Sequence, residues 1–136
     1  MAKPQAIEIK SDDCVVTIDG EKYALHEGES VWLIPGLSVG TIRAMNTLMA
    51  VGPRMDAAKG EPDELATITR LADESFQAVC EALAQRVQRW TWTDLLGTAL
   101  PQPGGAVESF QSLTPEELFW LLSAAKGETA GARKNG

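Results

Sequence analysis

Positive charge, histidine and tyrosine are all scarce in this chain, and each scarcity removes a class of function. Lys and Arg total 12 against 19 Asp and Glu, a formal net charge of -7 over 136 residues. Nucleic acid and anionic lipid both require a positive patch. The nearest things to one, Arg86 with Arg89 and the "RKN" at 133–135, do not outline a phosphate groove. The composition therefore argues against nucleic-acid binding. His26 is the single histidine, in "LHEGES" beside Glu27 and Glu29. A metal needs at least three ligands held together by the fold, so the expectation is a solvated hairpin side chain and no metal. Cys14 and Cys80 are distant in sequence and have no CxxC partner. One falls in a strand-like run and the other on a helical apolar face, as expected for buried reduced thiols rather than a disulfide or redox pair.

Long hydrophobic runs are missing as well. No window is apolar enough to span a bilayer, and "MAKPQAIEIK" lacks the apolar stretch of a signal peptide. The expectation is a cytoplasmic protein with no membrane partner. Catalytic signatures fare no better. Asp12-Asp13 are adjacent and read as a turn, because neighbouring strand residues point to opposite faces. Gly104-Gly105 matches no phosphate loop. No nucleophile–base pair or cofactor motif emerges, so neither an enzyme nor a cofactor is expected.

What is present reads as one globular domain, 1–136, with 44% apolar and 23% charged residues. Its fold class is α+β, mostly α: a small N-terminal antiparallel ribbon or sheet at 6–36, about three helices over 37–127, one of them long, and a flexible tail at 128–136. "IEIK", "CVVTI" and "EKYAL" are strand-rich. Asp19-Gly20 between the last two is a strong hairpin signal, since the turn needs positive φ at both central positions. "SVWLI" adds a strand candidate, stopped by Pro35-Gly36. A sheet this small must lay a face on helices.

Ser38 can cap a helix in which Val39, Ile42, Met45 and Met49 recur at helical spacing, with Gly52-Pro53 ending it and 53–61 as a linker. From Pro62 an apolar stripe runs through Leu65, Ile68, Ala72, Phe76, Val79, Leu83, Val87 and Trp90. Pro62 suits a first helical turn, and acids and arginines sit at the matching ends of the helix dipole. A straight helix of that length, about 43 Å, exceeds a compact domain with a radius of gyration of about 14 Å. Its end is expected to project or to pack on a second copy. The last helix has a full set of start signals. Thr114 is the N-cap, Pro115 the first helical residue, Glu117 closes a capping box, Leu113 and Leu118 form a staple, and Gly127 is the stop.

The unusual abundance is indole: four tryptophans, Trp32, Trp90, Trp92 and Trp120, against one tyrosine. Leu118, Phe119, Trp120, Leu121 and Leu122 are consecutive and cover more than one helix face, since each residue turns about 100°. Two readings follow. Either this helix sinks into a groove of its own domain, or one side meets a partner through aromatic anchors. Trp90 and Trp92 pose the same choice, leaning towards core, since a turn packed on a helix end needs bulk. Under the second reading the partner-binding residues are Trp90, Trp92, Leu118, Phe119, Trp120 and Leu122.

A long helix running into "VQRWTWTDLLGTALPQP", then a loop, then "LTPEELFWLLSAAKGET", resembles the small tail assembly chaperones of long-tailed bacteriophages and prophages. The resemblance covers 86–127. It is carried by a W-x-x-T-D-x-x-G-x-x-L-P segment, here Trp90, Thr93, Asp94, Gly97, Leu100 and Pro101, with Leu95 and Leu96 where such proteins often carry acidic residues. It implies a non-catalytic protein of the bacterial host cytoplasm. Such a protein binds the apolar helical tape measure protein, and in some cases the tail tube protein, keeping the former soluble while the tube polymerises. Net charge keeps such a holdase soluble, and homo-oligomers gain from multivalency on an extended partner. The family often has a longer frameshifted form, and Lys134-Asn135 is compatible with a slippery codon run. A small structural subunit of the tail or head, with the same surfaces permanently buried, is the alternative.

Overall fold

Asp19 and Gly20 take φ values of 52° and 82°, the positive pair that closes a tight two-residue hairpin. A computed structural model describes residues 5–127. The hairpin joins β2 (Val15–Ile18) to β3 (Glu21–Ala24), with Val16 opposite Tyr23 and Ile18 opposite Glu21. This ribbon is a two-stranded sheet of its own. It is inserted between β1 (Ile7–Lys10) and β4 (Ser30–Leu33), which pair antiparallel with Ile9 opposite Val31.

The third strand of the main sheet comes from far along the chain. The helical stripe expected to continue to Trp90 stops at Arg86, and Val87–Trp90 forms β5 on the other side of β4. The spacing of Leu83, Val87 and Trp90 is shared by a helix face and by a helix-to-strand junction, so periodicity does not separate them. Pairing decides: Val31 meets Trp90 and Leu33 meets Val87, with a bulge at Trp32/Leu33. The β-branched and aromatic residues here suit a half-buried pleat. β4 is thereby the central strand, and Val31 and Leu33 are both fully buried.

The helices differ from expectation at a second boundary. α1 (Val39–Met49) begins at Ser38, whose hydroxyl accepts from the Thr41 N–H. Gly52-Pro53 does not end a helix but lies in the first turn of α2 (Val51–Ala57). A first-turn residue has no intrahelical partner for its N–H, so proline costs little there. The expected linker is thus mostly helical, and Ala58 at its end is buried. α3 (Pro62–Arg86) is about 37 Å long at 1.5 Å per residue. α1 and α2 both lie against it.

A short α4 (Glu108–Gln111) precedes α5 (Pro115–Lys126). α5 has the complete Thr114/Glu117 capping box and ends at Gly127 in the left-handed conformation, φ 83°. The core gathers β4, β5, the C-terminal half of α3, and α5 around Leu83, Val87, Phe110, Leu121 and Leu122. Cys14 and Cys80 are buried free thiols. The tail at 128–136, with Lys134-Asn135, lies outside the described residues.

Candidate protein-interaction surface

The tryptophans proposed as partner anchors are core. Trp90 ends β5 and Trp92 follows two residues on, both turned into the core. Their rings stack with centroids 5.1 Å apart. Phe110 meets Trp90 edge-on at 5.5 Å, and Trp120 approaches Trp92 at 5.8 Å. Exposures are 2% for Trp90, 0% for Trp92 and 7% for Trp120. Leu118 and Leu122 are buried too, so the run from Leu118 to Leu122 is a helix sunk in its own domain. α5 reaches α3 through one flank and the aromatic stack through Trp120, which leaves no broad free face. Only Phe119 of the proposed anchors stays half-buried, in an apolar groove with Leu48, Val51, Phe76 and Pro115.

Two of the indoles have polar partners. Trp92 Nε1 donates to Ser11 Oγ at 2.9 Å and Trp120 Nε1 to Asp13 Oδ1 at 2.8 Å. Among the described residues, Trp90 Nε1 is the buried side-chain nitrogen or oxygen without a hydrogen-bond partner.

His26 is not a solvated hairpin residue. It is 2% exposed and lies flat on Trp92, with centroids 4.0 Å apart and planes within 1°. Its Nδ1 meets Glu29 Oε1 at 2.7 Å and its Nε2 meets Glu117 Oε2. Both contacts carry a hydrogen when the ring is an imidazolium; a neutral ring leaves one nitrogen facing an acceptor. Glu29 also accepts from the Thr93 hydroxyl at 2.7 Å. Glu117 Oε1 accepts from the Thr114 N–H at 2.9 Å. Burial pushes the Glu117 carboxyl up, but the His26 and Thr114 hydrogen bonds outweigh it and leave the group below its ordinary range. The residue that caps α5 therefore also clamps the β3–β4 connection, an arrangement invisible in a linear reading. Chemically the unit is a hydrogen-bonded brace between three segments. Among the described residues, no group of three or more His, Cys, Asp or Glu is arranged to hold a metal ion.

The two most exposed large apolar side chains are Leu95 and Leu96; Val39, Met49 and Met55 on the helices are exposed as well. Thr93 and Ala99 form an isolated antiparallel bridge. Between them Asp94 Oδ1 accepts from the N–H groups of Leu96, 2.8 Å, and Thr98, 3.0 Å. The Asp94 N–H donates to Thr98 O and the Gly97 N–H to Asp94 O. Gly97 takes φ 82°, a conformation costly for any residue with a Cβ. Leu100 N–H returns the chain to Trp92 O at 3.0 Å. Thr93, Asp94 and Gly97 thus build a tight loop whose tip is Leu95-Leu96, each 91% exposed.

Beside the tip opens a cleft of about 190 Å³, walled by Leu25, Leu95, Leu100 and Leu113 with His26 and Glu117 in its lining. The sequence signal for this surface is two adjacent leucines inside a T-D-x-x-G turn, where polar residues are the rule; in the sequence they read only as a departure from acidic residues, not as a surface. The β2–β3 ribbon adds exposed Ile18 and Tyr23.

No family model, curated protein or solved structure matches the chain. No helix among the described residues is long and apolar enough to cross a membrane.

Proposed function

We propose that this protein is a tail assembly chaperone: it binds the apolar, helical tape measure protein and keeps it soluble while tail tube subunits assemble. The carrying observation is the Leu95-Leu96 tip, fully presented on a loop braced by Asp94. Two adjacent leucines held in water are unfavourable unless something covers them. Covering both contributes about 1.5–3 kcal/mol each, a modest amount suited to a reversible holder of an extended client. Self-association multiplies such weak contacts along the client. The net charge of -7 keeps the holder itself dissolved. The role passes from the tryptophans, which are core, to the leucines of the same segment.

The test is co-expression with a tape measure protein. The wild-type chain is expected to raise the soluble fraction of that protein, and Leu95→Asp/Leu96→Asp to abolish the effect with an unchanged melting temperature. A client equally soluble with the double variant overturns the assignment to this loop. Recovery of the chain as a stoichiometric part of purified particles replaces the chaperone reading with that of a structural subunit.

A further inference from the structure

The cleft beside the leucine tip has a charge character that specifies its occupant. Its apolar walls join the tip through Leu95, which belongs to both. The segments that build it, 25–29, 91–101 and 112–117, carry Glu27, Glu29, Asp94, Glu116 and Glu117 and no Lys or Arg. The one basic side chain in those segments is His26, placed between Glu29 and Glu117. Two carboxylates around one imidazole ring outnumber any charge the ring can carry. Asp94 is exposed in the lining, and Glu27 and Glu116, the chain neighbours of lining residues His26 and Glu117, are exposed as well.

We propose that the Leu95/Leu96 tip and this cleft form one receptor for an amphipathic helix whose apolar stripe is bordered by lysines or arginines. This rests on the protein-binding reading above and adds to it the chemistry of the partner. A helix laid across the tip sets its apolar stripe against Leu95, Leu96 and the cleft walls. Lysine or arginine at the border runs its methylenes along the leucines and brings its charge to the carboxylates. An acidic helix of equal apolar area meets like charge at the same places. The surface therefore discriminates by charge as well as binding by area.

Three fluorescein-labelled peptides of about 18 residues, five helical turns, test this. They share leucines at helical spacing and differ only in carrying Lys, Gln or Glu at the bordering positions. Each is titrated with the full chain by anisotropy at about 0.15 M salt, where distant charges are largely screened. The Lys peptide is expected to bind about tenfold more tightly than the Gln peptide, and the Glu peptide more weakly still. Leu95→Ser/Leu96→Ser weakens all three. Glu27→Gln/Glu116→Gln brings the Lys peptide to the Gln level. Asp63→Asn/Glu64→Gln removes equal charge from α3, no residue of which lines the cleft, and leaves the preference intact. Equal binding of the three peptides, or loss of the preference in the α3 variant, overturns the inference. Co-expression separates the two claims: a client held soluble by a chain with no Lys preference removes only the partner chemistry, whereas failure of both removes the chaperone reading as well.

Discussion

Gln102 completes the outer edge of β5 at Trp90. Its side-chain amide accepts from the Trp90 N–H at 3.2 Å and donates to the Trp90 carbonyl at 2.9 Å. It thereby occupies the positions a further strand would use. An open edge is a template for pairing with another chain, and a single glutamine closes this one. Gln102→Ala is expected to cost about 1–2 kcal/mol in urea unfolding, the loss of two partly buried hydrogen bonds. It is also expected to add concentration-dependent light scattering that Gln102→Glu, which keeps one acceptor, shows less strongly.

The aromatic stack predicts unequal tryptophans. Trp92→Phe leaves Ser11 without its indole donor, whereas Trp90→Phe removes a buried N–H that has no partner. Both lose ring area. Trp92→Phe is expected to be more destabilising than Trp90→Phe by about 1–2 kcal/mol in chemical denaturation. Equal costs would mean that the Ser11 bond contributes nothing. Trp120→Ala is expected to cost about 3–5 kcal/mol, and the Tm then reports a core residue rather than a partner anchor.

The His26 brace predicts a pH dependence at the acid end. Glu117 is held below its ordinary range in the fold, so its stabilisation is fully present above the unfolded carboxylate value. It is lost as pH falls through the lower folded value. Glu117→Gln is expected to destabilise by about 1–3 kcal/mol at neutral pH. The gap from wild type should narrow as both approach the acid limit. Denaturant midpoints measured from pH 7 down to pH 3 check this, and a constant gap across the range would remove the linkage.

The thiols predict silence. Burial, reinforced by nearby carboxylates, pushes Cys14 up to about 12 and Cys80 up to about 11. Neither offers thiolate at neutral pH. Both are expected to resist Ellman's reagent in the native protein and to react within minutes in denaturant. Fast native labelling of either would place that cysteine on an opening segment.

What could be read in advance was local. Asp19-Gly20 is a turn because its own backbone demands it, and Thr114-Pro115-x-Glu117 starts a helix through its own side chains. The small sheet followed by helices, one long, is likewise what strand-rich runs and a sustained apolar stripe produce. What could not be read depends on distant partners. Val87–Trp90 is a strand because β4 lies beside it, and nothing in its four residues says so. His26 is buried because Trp92 and Glu117 converge on it from far along the chain. Leu118 to Leu122 look oversupplied with apolar surface until the indoles and α3 close around them. In the sequence Leu95 and Leu96 stand out only as a departure from acidic residues; their exposure follows from the loop that the Asp94 hydrogen bonds close.

The Asp94 loop separates shape from identity. Its bonds run from a side chain outside the tip to main-chain N–H groups within it, so the backbone keeps its course whatever side chains stand at 95 and 96. Those two positions are therefore free to diversify at almost no folding cost. A library randomised at 95 and 96 should yield folded members that differ only in the surface chemistry of the tip.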